Sequence, residues 1–205
     1  MLTPNSAPLP VVTAHRDTGG VPGFVQGLLP SVRSEAGILI RPYSNSVDRT
    51  SFTCGESDLD EWLRTQAGQQ EKRGNTRTFL AVDLDDDSLV GYYSTTTYRL
   101  ELDEAAEAFG MGKRRYPVPA VLLARLAVDE RRQGEGLGHG LLFHALHHFA
   151  EASKSIGFEL VVTHAMSTDA AVFYRRSGFQ PYMDHDLHLF MPVNDLRATF
   201  EAFLD

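Results

Sequence analysis

Glycines occupy every second position from 134 to 140, and the segment Arg131-Arg132-Gln133 directly precedes them. An apolar, β-prone run from Val121 to Val128 comes before this loop, and a helical pattern of apolar residues follows it. Glycine lets the backbone approach a ligand closely. The free N–H groups of a helix's first turn and the positive end of its dipole favour phosphate oxygens. The pattern therefore predicts a phosphate-binding loop between a strand and a helix.

The glycine spacing narrows the kind of phosphate ligand. A P-loop needs Gly-Lys-Ser/Thr, and the chain contains no such tripeptide. The dinucleotide fingerprint needs Gly-x-Gly-x-x-Gly, but His139 stands where its third glycine would be. The pattern that fits is Arg/Gln-x-x-Gly-x-Gly, at Arg131, Gly134 and Gly136, and it resembles the coenzyme A pyrophosphate loop of the GNAT superfamily of N-acetyltransferases. A plain glycine-rich turn is the alternative.

A second motif lies about 40 residues downstream, after the strand-like run Leu160–His164. The segment from Ser167 to Phe179 resembles the GNAT element Asn-x-x-Ala-x-x-Phe-Tyr-x-x-x-Gly-Phe. Ser167 or Thr168 can cap the N-terminus of a helix, and Gly178 suits a left-handed C-terminal position. Ser167 replaces the family's Asn, which often contacts pantetheine.

The resemblance extends to one branch of the superfamily, the acetyltransferase toxins of bacterial toxin–antitoxin modules. It covers roughly Ile38 to Phe200, and its most specific part runs from Arg115-Tyr116-Pro117-Val118-Pro119 to Leu126-Ala127-Val128-Asp129. Such toxins acetylate the amino group of aminoacyl-tRNA and pair with a small ribbon-helix-helix antitoxin. The resemblance thus implies acetyl-CoA as cosubstrate, aminoacyl-tRNA as a possible acceptor and such an antitoxin as a possible partner.

The resemblance also implies roles for individual residues. It puts the thioester beside the Leu126–Val128 strand, where a backbone N–H can face the carbonyl oxygen. Tyr174 matches the family tyrosine near the sulfur, and a phenol of pKa about 10 can give a proton to a thiolate of comparable basicity. A core aromatic is the alternative for Tyr174. The residues expected to bind the coenzyme are Leu126, Ala127, Val128, Arg131, Arg132, Gln133, Gly134, Glu135, Gly136, Leu137, Gly138, Ser167 and Phe173.

The general base is an open question. His164 ends a strand just before the Tyr174 helix and could face the cleft, although a hydrogen-bonded structural histidine is an equal alternative. An α-amino group, with a pKa of about 8, is partly neutral at pH 7, whereas a lysine amine at about 10.4 is almost wholly charged. A site without a strong base therefore suits an aminoacyl α-amine better than a lysine side chain.

The composition of the chain limits its class of protein and its cellular location. The chain has 205 residues, a net charge of −8 and one cysteine, Cys54, which excludes an internal disulfide. No secretory signal or membrane-spanning run is evident, so we expect a cytoplasmic protein. The acidic balance argues against a general affinity for nucleic acid, yet local basic groups could contact a polyanionic acceptor. They are Lys113, Arg114 and Arg115 in one segment, and Lys72, Arg73 and Arg77 in another.

Two further groups carry weaker signals. His144 and His148 are spaced i, i+4 and could form a metal pair, but no third ligand is evident, so we expect a solvated helix face and no metal. Cys54 is expected to pack in the protein interior and not to act as a nucleophile.

The chain divides at about residue 36. Residues 1–36 carry five prolines, four glycines and no periodicity, which favours an extended or partly disordered arm over a short docking segment. Residues 37–205 alternate strand and helix patterns, including a helix over Ser57–Gly74 with a capping-box start and a hairpin turning at Asp85–Asp87. This mixture predicts one α/β domain with a GNAT-like mixed, largely antiparallel central sheet flanked by helices.

Two classes of function remain open at this point. One is an acetyl-CoA-dependent N-acetyltransferase, acting on aminoacyl-tRNA or on a small amine or protein amine. The other is a catalytically weak acyl-CoA-binding protein that works by docking a partner. A homodimer is possible in either case.

Overall fold

The computed structural model describes residues 37–101, 116–182 and 185–201. The predicted arm 1–36 and the basic segment Lys113–Arg115 lie outside the described residues, as does most of the segment Glu101 to Phe109, for which the sequence predicts a short helix. No helix in the described part is long and apolar enough to cross a membrane.

Strands and helices alternate along the chain. The strands are β1 (Ile38–Pro42), β2 (Arg77–Asp83), β3 (Leu89–Leu100), β4 (Val118–Val128), β5 (Leu160–His164), β6 (Gln180–Tyr182) and β7 (His185–Pro192). The helices are α1 (Ser57–Thr65), α2 (Ala67–Arg73), α3 (Leu137–Ala152), α4 (Thr168–Arg176) and α5 (Val193–Glu201), with a 3₁₀ turn at Glu130–Arg132.

The strands form one sheet in the order β1-β2-β3-β4-β5-β7-β6. Every neighbouring pair is antiparallel except β4 and β5, which run parallel with α3 as their crossover. The predicted mixed, largely antiparallel α/β sheet is therefore confirmed.

A bulge in β4 changes which side chains face each side of the sheet. Ser94 of β3 pairs with Arg125 and Thr95 pairs with Leu123, so Ala124 is an extra residue in β4. Because side chains alternate along a strand, one extra residue reverses the alternation. Leu123 and, after the bulge, Leu126 pack on the cluster beneath α3, whereas Arg125 turns to the opposite face.

The core lies on both faces of the sheet. On one face Leu141, Leu142 and Leu146 of α3 are almost wholly buried against β3, β4 and β5. On the other face α1 covers β2 and β3 through Trp62 and Leu63. These two layers fix the positions of the loops at the end of β4.

The first helix departs from its prediction. The predicted helix Ser57–Gly74 is divided at Gln66 into α1 and α2. The predicted capping box is wrong, because Glu56 holds the N-cap position without a side-chain cap. The buried Asp60 carboxylate instead accepts the N–H of Cys54 at 2.9 Å and the hydroxyl of Thr53 at 3.0 Å, outside the helix.

Other local predictions are confirmed. The hairpin of β2 and β3 turns at Asp85–Asp87, and α3 and α4 lie where the helical patterns placed them. The Ser167 hydroxyl accepts the N–H of Ala170 at 3.2 Å as the N-cap of α4, and Gly178 has φ +89° just beyond its C-terminus. The short strand β6 was not anticipated.

Candidate active site

A cleft opens where β4 and β5 separate. The two strands are paired from Ala120–Leu160 to Leu123–Thr163, after which β5 ends and β4 continues alone to Val128. The cleft has a cavity volume of about 200 Å³. One wall consists of residues 123–128 with Cys54, Glu56, Leu59 and Gln133, and the other of residues 163–167 with Ala170 and Tyr174.

The segment Leu126–Val128 presents a strand edge to this cleft. On the β3 side these residues are paired, Leu126 with Tyr93 and Val128 with Gly91. On the β5 side no strand of the described chain pairs with β4 beyond Leu123. Backbone groups along such an edge can bind an extended ligand as an added strand would.

The glycine loop has the backbone geometry that an anion site requires. Gly134 and Gly136 adopt φ +81° and +87°, the left-handed region that favours glycine. α3 begins at Leu137 with Gly136 as its N-cap and no side-chain cap. Among the described residues, the N–H groups from Gly134 to Gly138 have no hydrogen-bond acceptor, so five donors remain for a ligand at this helix end.

The two arginines before the loop are ion-paired inside the protein. Arg131 contacts the fully buried Asp129 at 2.8 Å. Arg132 contacts Asp83 at 2.5 Å and Glu135 at 2.8 Å. These carboxylates hold the guanidinium groups at the base of the loop, so the backbone N–H groups are its free anion donors.

Gln133 also has internal partners. Its amide donates to the carbonyl oxygens of Cys54 and Val128, both at 3.0 Å. The side chain thereby links the segment before α1 to the end of β4. Gln133 lines the cleft, and its amide stabilises the wall.

Tyr174 lies at the closed end of the cleft. Its ring is 7% exposed and packs edge-to-face with Phe173 and Phe179, with centroids 5.1 and 5.5 Å away. Burial raises the pKa of its phenol to about 12, while a hydrogen bond with the Thr163 side chain acts in the opposite direction. Thr163 itself donates to the Leu123 carbonyl at 3.1 Å, at the last paired position of β4 and β5.

Phe173 and Ser167 lie on the same helix but do different things. Phe173 packs edge-to-face on His139 at 4.8 Å and so joins α4 to the first turn of α3. Ser167 lines the cleft while its hydroxyl caps α4. The serine therefore takes a structural part at the position where the family's asparagine often contacts pantetheine.

His164 lines the cleft at the end of β5. Its Nε2 forms a hydrogen bond of 3.0 Å with the hydroxyl of buried Tyr182. The imidazole also lies 4.4 Å from the His188 ring and edge-on to Tyr98 at 5.8 Å. It is the histidine that the described chain brings to the cleft, and its orientation is fixed by these neighbours.

Sequence reasoning missed two charged residues of the cleft. Arg125 and Glu56 both line it. Arg125 lies inside the Leu-Ala-Arg-Leu-Ala motif, where an arginine in an apolar strand was a signal that could have been used. Glu56 gave no signal, because only the fold brings the N-terminus of α1 to the end of β4.

The weaker candidates are resolved as structural. Burial raises the pKa of the Cys54 thiol to about 12, which agrees with a packing residue. The expectation of a solvated face for His144 and His148 is wrong in part: both rings pack on Phe79, and Nδ1 of His144 is hydrogen-bonded to Tyr93 at 2.8 Å. The described residues contain no group of three metal-binding side chains.

Of the two predicted basic segments, the one formed by Lys72, Arg73 and Arg77 lies within the described residues. Lys72 and Arg73 form the last turn of α2, and Arg77 begins β2 with Glu71 at 3.5 Å. They therefore flank the short connection between α2 and β2. Lys113, Arg114 and Arg115 lie outside the described residues.

A helix N-terminus with open N–H groups follows Gln133 at the border of a cleft that holds a free strand edge and a buried tyrosine, and this arrangement suits coenzyme-dependent acyl transfer. Residues 76–181, just over half of the chain, match the acetyltransferase (GNAT) domain family. The chain belongs to the GNAT acetyltransferases and is an enzyme of that class.

Its relatives include acetyltransferase toxins. The chain is 37% identical to a tRNA-acetylating toxin of Mycobacterium tuberculosis over 160 residues, which cover 77% of this chain and 93% of the toxin. Among solved structures, KacT superposes with a TM-score of 0.72 and 29% identity, covering 78% of this chain and 98% of KacT. AtaT complexed with acetyl-methionyl-tRNAfMet superposes with a TM-score of 0.71 and 26% identity, covering 80% and 99%.

Proposed function

We propose that this enzyme transfers the acetyl group of acetyl-CoA to the α-amino group of an aminoacyl-tRNA. The observation that carries the proposal is the place of Tyr174, whose phenol lies at the closed end of the β4–β5 cleft beside the free edge of β4. A weak acyl-CoA-binding protein would not need a proton donor there.

The named relatives support the choice of acceptor. The M. tuberculosis relative is named for acetylating tRNA, and a similar AtaT structure holds acetyl-methionyl-tRNAfMet. Another AtaT structure, with its antitoxin partner, is bound to acetyl-CoA. An aminoacyl α-amine, with a pKa of about 8, also suits a cleft in which His164 is the one histidine among the described lining residues.

The coenzyme would lie along the free edge of β4. The backbone of Leu126–Val128 would bind pantetheine in the manner of an added strand, and the N–H groups from Gly134 to Gly138 would hold the phosphates. Ser167 and Phe173 would line the opposite side. Arg131, Arg132, Gln133 and Glu135 would keep the loop in shape through the contacts described above.

The reaction then follows from the side chains around the thioester. The neutral amine attacks the thioester carbonyl, and a backbone N–H of β4 stabilises the developing oxyanion. The carbon–sulfur bond breaks, and Tyr174 gives its proton to the departing thiolate. His164 takes the proton from the attacking amine, directly or through a water, and the products are an N-acetyl amide and the free thiol.

The same relatives suggest the biological setting. Solved complexes join AtaT to the C-terminus of the antitoxin AtaR, and KacT is found in a KacTA–DNA complex. A small ribbon-helix-helix antitoxin is therefore the proposed protein partner. The proposed location is the cytoplasm, where charged tRNA and acetyl-CoA occur together.

The test is transfer of labelled acetyl from acetyl-CoA to a pool of charged tRNA, with polyamines, aminoglycosides and peptides as competing acceptors. Charged tRNA should be labelled, and uncharged tRNA should not, because only the former has the α-amine. Label on a small amine or peptide, with none on charged tRNA, would overturn the tRNA acceptor and leave the acetyltransferase.

A second experiment tests whether the basic segments bind tRNA. Neutralising Lys113, Arg114 and Arg115 should raise KM for charged tRNA without changing acetyl-CoA affinity, and should lower the salt slope by up to about 3. The same change at Lys72, Arg73 and Arg77 tests the second segment. Unchanged KM in both variants would contradict tRNA binding by these segments.

A further inference from the structure

The guanidinium of Arg125 lies over an aromatic stack at the cleft. Its central carbon is 4.0 Å from the Trp62 ring centre. Trp62 stacks on Tyr92 with 6.0 Å between centroids and an interplanar angle of 15°. The Tyr92 hydroxyl donates to the Leu59 carbonyl at 2.9 Å, and both rings are buried. The guanidinium therefore has a buried pair of rings beneath it before any ligand binds.

This guanidinium has no anionic partner. Arg125 makes no hydrogen bond or ion pair with any residue in the described ranges, whereas Arg131 and Arg132 are paired with carboxylates. It is nevertheless half-buried. A cation withdrawn from water without a partner is costly, and oxygen acceptors are what its N–H groups lack. Arg125 is also the only arginine or lysine among the described residues that line the cleft.

Arg125 and the proposed coenzyme loop lie on opposite faces of the sheet. The bulge at Ala124 directs Leu126 and Val128 toward α3, whose N-terminus carries the glycine loop. Arg125 turns to the α1 face, where Trp62 lies. A ligand that contacts Arg125 thus approaches the thioester position from the side opposite to the phosphates, which is the side left for the acceptor.

We propose that Arg125 determines acceptor specificity by binding oxygen atoms that the acceptor carries close to its reacting amine. This inference rests on the proposed function, in which the acceptor is an aminoacyl-tRNA. The oxygen atoms are then those of the ester carbonyl and of the phosphate of the terminal nucleotide. The same positive charge disfavours acceptors that carry further ammonium groups, such as polyamines. Arg125 acts on the choice of acceptor and not on coenzyme binding.

The test compares Arg125→Met, Arg125→Lys and a matched control. Methionine still covers Trp62 but cannot donate, and lysine keeps the charge without the planar fork. Arg49→Met is the control, because Arg49 also lies over an aromatic ring, Tyr43 at 5.0 Å, outside the cleft. Arg125→Met should lower kcat/KM for charged tRNA by about 10- to 100-fold, the range for a lost charged hydrogen bond. Arg125→Lys should lower kcat/KM by less, and Arg49→Met should leave it unchanged. All three variants should bind acetyl-CoA normally.

Two small acceptors distinguish the oxygen sources. An aminoacylated CCA trinucleotide carries phosphates, and an aminoacyl-adenosine carries none. A loss with both assigns Arg125 to the carbonyl, and a loss with the trinucleotide alone assigns it to the phosphate. Either result supports the proposal.

Acceptor selectivity separates this role from a structural one. The ratio of kcat/KM for the aminoacyl ester to kcat/KM for spermidine should fall in Arg125→Met. An equal fall for every acceptor, or no fall, overturns the proposal. If the wild-type enzyme does not acetylate charged tRNA, the proposed function fails. The ratio between an amino-acid amide and spermidine then tests Arg125 independently.

Discussion

The carboxylate of Asp129 holds the guanidinium of Arg131 at two points, Oδ1 to Nε at 2.8 Å and Oδ2 to Nη2 at 2.9 Å. Oδ1 also accepts the Arg131 backbone N–H at 3.0 Å, so Asp129 caps the 3₁₀ turn that leads into the glycine loop. The carboxylate is fully buried, and the Arg131 hydrogen bonds hold its pKa below the ordinary value. The position of the glycine loop thus depends on this pair.

Replacing Asp129 by Asn should weaken acetyl-CoA binding. The amide keeps the shape but loses the charge, so the two-point contact with Arg131 is lost and the loop is less well ordered. We expect several-fold weaker binding by calorimetry and a stability loss of about 1–3 kcal/mol in urea unfolding. Asp186→Asn is the control, since its ion pair with Arg175 is exposed and lies away from the loop. Equal effects of the two substitutions would contradict the assignment.

Gly136→Val should block coenzyme binding while the fold persists. Gly136 has φ +87°, which a β-branched residue tolerates poorly, and a side chain there would stand in front of the free N–H groups. Gly140→Val is the control, because a Cβ at Gly140 meets no atom within 4 Å. Calorimetric titration should show lost acetyl-CoA affinity for the first variant and normal affinity for the second. A folded Gly136→Val protein with normal affinity would show that the loop is not the phosphate site.

Tyr174→Phe should lower kcat by roughly 10- to 10⁴-fold with acetyl-CoA affinity nearly unchanged, because it removes only the hydroxyl that is the proposed proton donor. Tyr93→Phe is the matched control, since it removes a hydrogen-bonded hydroxyl of a buried tyrosine that is not a cleft residue. A pKa of about 12 keeps Tyr174 protonated at neutral pH. The wild-type kcat should therefore show no loss from tyrosine ionisation below about pH 10. Wild-type kcat in Tyr174→Phe would return this residue to a packing role.

His164→Gln should lower kcat/KM most at low pH. Below pH 8 the acceptor amine, with a pKa of about 8, is largely protonated and needs a base, whereas at higher pH it is neutral unaided. We expect a loss of about 10-fold or more at pH 6.5 that shrinks toward pH 9. Tyr182→Phe keeps the imidazole and removes its 3.0 Å partner, so its effect should be smaller. A loss that is the same at every pH would count against His164 as the base.

Acid should destabilise the fold through His144. Burial lowers the pKa of this imidazole to about 4 from 6.5, so the unfolded chain binds a proton at a higher pH than the folded protein. Stability from this group is present above pH 6.5, falls as the pH drops toward 4, and is level below that. The loss is on the order of 2 kcal/mol after allowing for solvent screening. Urea unfolding of wild type and His144→Gln should show a shallower pH dependence in the variant, and parallel curves would exclude His144 as a cause.

The local elements could be predicted from the sequence because their signals lie within a few residues. The N-cap of α4 at Ser167 and the left-handed Gly178 each depend on a side chain or a missing Cβ at one position. The hairpin of β2 and β3 follows from two alternating runs around three aspartates. The order and spacing of the glycine loop and the Tyr174 helix indicated both the fold and the class of chemistry.

Only the tertiary structure determines which charged and polar groups become partners when they are far apart in the sequence. Arg132 looked like a coenzyme ligand, but Asp83, 49 residues earlier, holds it, and no local pattern specifies that meeting. His144 looked solvated until β2 and β3 placed Phe79 and Tyr93 beside it. Arg125 faces Trp62 on the α1 side because one extra residue in β4 reverses the alternation. Hydrophobic periodicity determines which elements form, whereas packing across the sheet determines which side chains meet.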